Sequence, residues 1–152
     1  VSGVAYEFRV RPRIGSKWEA WSAPSQPITT LLVAPFFRNI LGNVLVDADT
    51  TQHRIDSIAG KTVAFYFANE RAQSCKVVTP QLVQFYFQLK AAGKEFCIVL
   101  ISLDADEGAF EVHMEGKPFL AVPFSESELR EKVTTACGIN ERVLPKLLVF
   151  AE

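Results

Sequence analysis

The chain has 152 residues, of which 49% are apolar and 22% are charged, so disorder of the whole chain is excluded. Its sixteen basic and seventeen acidic residues leave a net charge of -1, which argues against a nucleic-acid or membrane-surface binder. The longest apolar runs are about half of a membrane span and no secretory signal is visible, so we expect neither a membrane helix nor export.

The first thirty residues differ from the rest in charge and in pattern. Four basic residues stand there against two acidic ones, whereas the rest of the chain has an excess of acidic residues. Apolar and polar side chains alternate from Tyr6 to Val10, which predicts a half-buried strand, and Gly15 with Ser16 predicts a turn. A Pro/Ser stretch at 22–27 follows. We therefore predict a hairpin and a linker over residues 1–30 and a second domain over residues 31–152.

This N-terminal segment resembles the last two strands of a fibronectin type III domain. Residues 6–11 read Tyr-Glu-Phe-Arg-Val-Arg and residues 21–27 read Trp-Ser-Ala-Pro-Ser-Gln-Pro, similar to the two strand motifs of that family. The resemblance implies that the segment is only part of such a domain. An unrelated β-hairpin arm is the alternative, and neither interpretation gives the segment a catalytic role.

From Leu31 onward, predicted strands alternate with predicted helices. Short apolar runs predict strands at residues 44–46, 61–67, 96–101 and 147–150. Helices are predicted at residues 76–92, at residues 104–116, and after a Ser-Glu-Ser-Glu capping box at residues 125–128. Their apolar faces are assigned to Leu82, Phe85, Tyr86 and Leu89, to Phe110 and Met114, and to Leu129, Val133 and Cys137. This order predicts an α/β fold with a central sheet flanked by helices.

A buried strand runs from Phe65 into a short loop, then to Cys75 and a helix that contains Pro80. A proline inside a helix removes a backbone hydrogen bond, so its presence calls for a reason. The arrangement resembles the thioredoxin-like fold, specifically its tryparedoxin/nucleoredoxin branch, in which the strand leads to Trp-Cys-x-x-Cys-[Arg/Lys]-x-x-x-Pro. Cys75, Lys76 and Pro80 match the second half of this motif.

Three further segments extend the resemblance. Residues 101–107 are similar to the branch's Ile-Ser-Trp-Asp-x-Asp/Glu segment, and residues 116–124 to its Met-Pro-Trp-Leu-Ala-x-Pro-Phe segment. Residues 138–145 are similar to Gly-Val-x-x-Ile-Pro, whose proline is the cis-proline beside the redox site. The resemblance implies a mixed sheet over residues 39–150, and a hairpin strand and a final helix beyond it. Both ends of the chain therefore look truncated.

The first half of the redox motif departs from the family. When the motif is aligned through Cys75, Arg71 stands where the family has tryptophan and Ala72 stands where it has the first cysteine. In the family, the first cysteine attacks from a helix N-terminus and the second resolves the mixed disulfide. Ala72 has no sulfur, so a disulfide between these positions cannot form. Cys75 stays a candidate catalytic residue at the sheltered position, where burial raises a thiol pKa and Arg71 and Lys76 would favour the thiolate.

The segment at Pro145 is the second part of the predicted site. In the family, the backbone of the residue before this proline, here Leu144, pairs with an extended substrate segment like an added strand. The resemblance implies a cis Leu144–Pro145 bond, and the alternative is that Pro145 only shapes the fold. The predicted binding residues are Arg71, Ala72, Gln73, Ser74, Leu144 and Pro145, with Arg71 favouring acidic ligands.

The remaining candidate residues favour structural roles. Cys97 and Cys137 are predicted to lie in the core. His53 and His113 are isolated, so we interpret them as solvent-facing or locally bonded and predict neither a metal site nor a cofactor. The acidic residues of the predicted helix at 104–116 are interpreted as helix-capping and dipole residues: Asp104, Asp106, Glu107 and Glu111.

We therefore predict a redox-degenerate thioredoxin-like module that binds a protein or a peptide. One alternative is a single-thiol redox protein in which Cys75 forms mixed disulfides with glutathione or a partner, and another is a structural spacer domain. A peroxiredoxin is excluded because Ala68 and Ala72 stand where that family needs proline and threonine. Three scattered cysteines do not form a disulfide framework, so a reducing, cytoplasmic location is expected. The oligomeric state is left open.

Overall fold

Two compact units, Val1–Leu32 and Val33–Glu152, make up the chain. The computed structural model describes residues 4–6, 9, 11, 13–14, 16–24, 28–30 and 34–150. No helix among these residues is both long enough and apolar enough to cross a membrane.

Short antiparallel pairs form the first unit. Strand β1 (Val4–Tyr6) pairs with β4 (Ile28–Thr30), and β2 (Arg13–Ile14) pairs with β3 (Lys17–Trp18). Ser16 lies in the turn between β2 and β3, as the sequence predicts. Most of the strand predicted from Tyr6 to Val10 lies outside the described residues. Strand β4 was not predicted.

Exposed aromatic rings of the first unit stack with arginines. The guanidinium of Arg11 lies 5.7 Å from the ring centroid of Trp18 and 5.6 Å from that of Trp21, and that of Arg13 lies 5.5 Å from Trp18. Arg11 Nε also donates to the carbonyl oxygen of Glu19 at 2.7 Å. These cation–π contacts cover part of two half-exposed indoles.

The second unit is a mixed six-stranded sheet in the order β10-β7-β8-β9-β5-β6. Its strands are β5 (Val44–Val46), β6 (Gln52–Arg54), β7 (Thr62–Ala68), β8 (Phe96–Ser102), β9 (Leu120–Ala121) and β10 (Lys146–Phe150). The three strands β7, β8 and β9 are parallel, whereas β10, β5 and β6 pair antiparallel to their neighbours. Its helices are α1 (Pro35–Leu41), α2 (Gln73–Ala91), α3 (Glu107–Met114) and α4 (Ser127–Ala136). The predicted α/β fold with a mixed central sheet is confirmed.

The central strands are buried on both faces, which explains their continuous apolar runs. Alternate residues of β7, Phe65 and Phe67 among them, pack into one core with Phe37 of α1 and Val133 of α4. The residues between them, such as Tyr66, enter a second core on the other face. That second core also contains these residues of α2 and α3: Cys75, Leu82, Phe110 and Met114.

The predicted capping box at residues 125–128 was wrong. Helix α4 begins at Ser127, its N-cap is Glu126, and no side chain caps it. The Glu126 N–H donates to the carbonyl oxygen of Pro123 at 3.0 Å, which closes a turn through Ser125. Ser125 therefore lies in a turn before the helix, one residue before the N-cap position.

The inward face of α2 also differs from the prediction at one residue. Helix α2 begins at Gln73, three residues before the predicted start, and contains Pro80 as predicted. Leu82 is buried and Tyr86 half-buried, but the ring of Phe85 is 46% exposed. At 3.6 residues per turn, Phe85 lies at the edge of the inward face, where it meets Phe96 edge-to-face at 6.1 Å.

Candidate functional site

The loop between β7 and α2 lies beside the segment that precedes β10. Strand β10 runs antiparallel to β7, with Lys146 opposite Phe67, so the start of β10 and the end of β7 meet at one edge of the sheet. A cavity of about 320 Å³ opens there. We call it the Leu144 groove, and it is lined by Asn69, Ala72, Ser74, Glu141, Arg142 and Leu144.

One hydrogen bond joins the two sides of the Leu144 groove. Ser74, in the first turn of α2, donates its hydroxyl to the carbonyl oxygen of Leu144 at 2.8 Å. The Leu144–Pro145 peptide bond is cis. The Leu144 N–H has no hydrogen-bond acceptor among the described residues. The groove therefore presents an unpaired backbone donor next to a carbonyl that is already bonded.

The loop before α2 is held by the loop after β8. The Asn69 side-chain amide donates to the Leu103 carbonyl oxygen at 2.8 Å, and the Leu103 N–H donates to the Ala68 carbonyl oxygen at 2.9 Å. The Glu70 N–H donates to Asp104 Oδ1 at 2.6 Å. These bonds set the position of Ala72 and of the first turn of α2.

Arg71 is paired with a carboxylate. Its Nη2 lies 2.9 Å from Oδ2 of Asp106, and both side chains are more than half exposed. The same aspartate caps α3 through the Ala109 N–H at 2.8 Å, as predicted for this acidic segment. Because Asp106 offsets the charge of Arg71, the electrostatic preference expected for acidic ligands is weakened.

Asp104 does not cap a helix; it forms a buried pair with His113. The Asp104 Oδ2 accepts hydrogen bonds from Ser102 Oγ at 2.7 Å and from His113 Nδ1 at 3.0 Å. The His113 side chain is fully buried, so it is locally bonded and not solvent-facing. Burial raises the pKa of Asp104, but the bonds from His113, the Glu70 N–H and Ser102 outweigh it and hold this pKa below its ordinary value.

The two ring nitrogens of His113 differ in their surroundings. Nδ1 lies 3.0 Å from Asp104 Oδ2. Nε2 is buried and has no hydrogen-bond partner among the described residues. The other histidine, His53, lies 2.7 Å from Asp47 Oδ2, and this bond lowers the pKa of Asp47. Within the described part of the chain, no three His, Cys, Asp or Glu residues are placed to hold a metal ion.

The sulfur atoms lie on different sides of the sheet. Cys75 is 1% exposed and belongs to the core beneath α2. Cys97 is buried in the opposite core, and Cys137, half-buried at the end of α4, packs against that same core. All three cysteines are free. Since the sheet separates Cys75 from the other two, none of them is placed to bridge to it.

Burial disfavours the thiolate form of the three cysteines. It raises the pKa of Cys75, although the neighbouring Asn69 backbone and Ser74 side chain act in the opposite direction. Burial raises the pKa of Cys97 to about 11 and also raises that of Cys137. The predicted core placement is confirmed for Cys97.

Not every predicted binding residue lines the groove. Ala72, Ser74 and Leu144 do, whereas Arg71, Gln73 and Pro145 are absent from its lining. Sequence reasoning did not find Glu141 and Arg142, which line the groove, because no motif singles out this pair of neighbouring charges.

Comparisons with known proteins agree with the fold. A family model described as thioredoxin-like matches residues 60–152. The chain is 34% identical over 101 residues to probable nucleoredoxin 1 of Arabidopsis thaliana, which covers 66% of this chain and 17% of that protein. It is 29% identical over 114 residues to nucleoredoxin of Bos taurus, which covers 75% of this chain and 26% of that protein.

A solved structure shows the same likeness. Native tryparedoxin I from Crithidia fasciculata superposes with a TM-score of 0.67 at 30% identity, covering 74% of this chain and 77% of that one. The chain spans about a quarter or less of the length of these two nucleoredoxins.

Proposed function

This chain belongs to the thioredoxin-like family and is related to its nucleoredoxins and tryparedoxins, and on that premise we propose that it is a redox-degenerate member that binds an extended protein or peptide segment in the Leu144 groove. The groove would add the segment as a strand through main-chain hydrogen bonds. Binding of this kind needs no reactive thiol.

The unpaired Leu144 N–H carries the proposal. Strand addition depends on free main-chain groups at an accessible position. Leu144 is half-buried, lies next to a cavity, and directs no N–H to any described acceptor. An unsatisfied backbone donor at a partly buried position is stabilised when a ligand carbonyl reaches it.

The missing sulfur supports the redox-degenerate part of the proposal. Ala72 is the N-cap of α2, at the position that the family motif gives to its attacking cysteine. Cys75 is buried behind it, and the other two thiols lie across the sheet. No dithiol pair is then available for exchange. Three free thiols also support our proposal of a reducing, cytoplasmic setting.

Peptide selection tests the binding proposal. A random peptide library displayed on phage is panned against the chain, and one selected peptide is synthesised and titrated by calorimetry and by amide NMR. We expect the Leu144 amide resonance to move on binding, because its N–H gains an acceptor. Substituting Ala72→Trp fills the groove and is expected to weaken binding by about tenfold or more, equivalent to about 1.4 kcal/mol.

The matched control is Ala136→Trp, which puts the same ring on an exposed position of α4 away from the groove. This variant is expected to bind the peptide like the native chain. A selection that yields no binding peptide, or equal loss of affinity in both tryptophan variants, would overturn the proposal.

The rate at which Cys75 is alkylated distinguishes the redox-degenerate proposal from the single-thiol alternative. Because burial raises its pKa and covers it, iodoacetamide at about pH 8 is expected to modify Cys75 more slowly than half-buried Cys137. Peptide mass spectrometry at a series of times measures both rates. In guanidinium, where the chain is unfolded, the two modification rates should become equal. Rapid modification of native Cys75 would instead favour mixed-disulfide chemistry at this residue.

A further inference from the structure

The stacked arginines and tryptophans of the first unit form an exposed, charged surface. Arg13 lies directly opposite Trp18 in the β2–β3 pair, so the two side chains share one face, and Arg11 contacts the rings of Trp18 and Trp21. All four side chains are exposed, the two indoles by 51% and 59%. We call this face the arginine–tryptophan surface.

Stacking leaves the edges of both guanidinium groups open to a ligand. The aromatic rings contact the flat faces of these groups, whereas the N–H bonds point outward in the guanidinium plane. Arg11 donates its Nε to the Glu19 carbonyl oxygen. Its two Nη atoms and the whole Arg13 guanidinium have no acceptor among the described residues. The rings restrict the movement of both side chains, so less rotamer freedom is lost when a carboxylate accepts two N–H bonds from one guanidinium.

The charge of the first unit has one dominant sign and a regular spacing. Among its described residues, Glu19 is the one acidic side chain against four basic ones: Arg9, Arg11, Arg13 and Lys17, all exposed. The three arginines stand at every second position of the sequence. In an extended chain, every second residue recurs at roughly 6.7 Å along the same face. An extended peptide with a carboxylate at every second residue has the same repeat.

We propose that the arginine–tryptophan surface binds an extended acidic segment of a partner protein, with Asp or Glu at every second residue. A single-stranded nucleic acid also carries regularly spaced anions, but its bases bind by stacking on open aromatic rings. Here guanidinium groups already lie over the rings of Trp18 and Trp21. The net charge of -1 for the whole chain further disfavours phosphate backbones. This inference is independent of the proposed function, which concerns the second unit.

Tryptophan fluorescence of the full chain tests the inference directly. The sequence contains two tryptophans, Trp18 and Trp21, so the emission reports on this surface alone. The probes are three capped heptapeptides: one alternating Thr with three Glu, an isomer with the three Glu adjacent, and a copy of the first with Gln for Glu. We expect the alternating peptide to change the emission and to bind about threefold more tightly than the isomer. The Gln peptide should not bind, and about 0.5 M salt should weaken binding about fivefold or more, since exposed ion pairs are screened.

Substitutions of the arginines test which groups bind the carboxylates. Arg11→Gln and Arg13→Gln are each expected to weaken binding of the alternating peptide about fivefold, whereas Arg13→Lys keeps the charge but loses the two-pronged donor and should weaken it about twofold. Arg54→Gln is the matched control, because Arg54 is an arginine of β6 whose side chain is 84% exposed. It should bind like the native chain. The peptide comparison itself uses only the native chain, so it does not depend on the folding of any variant.

The possible results separate this surface from other sites. Equal affinity for the alternating peptide and its isomer, unchanged emission, or the same loss in Arg54→Gln as in Arg13→Gln would overturn the inference. Tighter binding of a thymidine hexanucleotide than of the alternating peptide would assign the surface to single-stranded nucleic acid instead. The Leu144 amide resonance should not move when the acidic peptide is added. A shift there, with unchanged emission, would place the peptide in the Leu144 groove and contradict this inference while supporting the proposed function.

Discussion

Ala72→Cys is expected to give this chain a reversible disulfide with Cys75 and, with it, disulfide reductase activity. Ala72 is the N-cap of α2 and lies three positions before Cys75. A thiol at a helix N-terminus has a lowered pKa because the helix dipole and free N–H groups stabilise the thiolate. Reduction of insulin with dithiothreitol is expected to proceed roughly tenfold or more above the rate of the native chain.

Two control variants distinguish activity that needs a disulfide between residues 72 and 75 from activity that any additional cysteine would give. Glu131→Cys places a single cysteine on an exposed position of α4, six positions before Cys137, and should not raise the rate. The double variant Ala72→Cys with Cys75→Ser should form a lasting mixed disulfide with glutathione, because no resolving thiol is left. If Ala72→Cys is alkylated quickly but never bridges in a glutathione buffer, the missing sulfur is not the only barrier to exchange.

Asp104→Ala is expected to lower the free energy of unfolding by about 3 kcal/mol. Asp104 is 7% exposed and accepts three hydrogen bonds, from Ser102, His113 and the Glu70 N–H. Alanine leaves all three donors without this acceptor, and one of them, the His113 ring, is fully buried. Urea unfolding followed by circular dichroism measures the loss.

The comparison is with Asp106→Ala, which removes an exposed cap and should cost about 1 kcal/mol. Asp104→Asn keeps an acceptor for the Glu70 N–H, so we expect it to lose less stability than Asp104→Ala. Equal losses for Asp104→Ala and Asp106→Ala would mean that the buried pair contributes nothing beyond an ordinary surface contact.

The same carboxylate makes stability depend on pH in acid. The pKa of Asp104 is lower in the folded chain than its ordinary value, so its contribution is complete above that ordinary value, about 3.9, and is lost as the pH falls through the folded pKa. Asp104→Asn cannot titrate and should lose this part of the acid dependence. Urea titrations at a series of acidic pH values compare the two slopes.

Much of the fold was predicted because burial leaves a local pattern in the sequence. The apolar runs predicted strands at 61–67 and 96–101, and the structure has them at Thr62–Ala68 and Phe96–Ser102. A strand buried on both faces is apolar at every position, which makes such runs reliable. Polar residues predicted the helix ends less well. Serine is common both at helix N-caps and in turns, and Ser125 lies in the turn closed by the hydrogen bond from the Glu126 N–H to the Pro123 carbonyl oxygen.

The candidate site depended on long-range pairs that have no local signature. Asp104 was interpreted as a helix residue, yet it accepts from Glu70, which lies thirty-four positions earlier in the chain. Glu141 and Arg142 were missed because they carry no motif. The resemblance to the tryparedoxin/nucleoredoxin branch was the route by which Ala72 and Leu144 were assigned to one site.

The sequence alone determined the covalent chemistry that is available to this chain. Residue 72 carries no sulfur in any conformation, and the family resemblance needs only the order of residues along the chain. The tertiary structure decided which polar groups meet: the Ser74 hydroxyl and the Leu144 carbonyl are seventy positions apart. A hydrogen bond requires donor and acceptor within about 3 Å, and over such a separation only the path of the folded backbone brings them together.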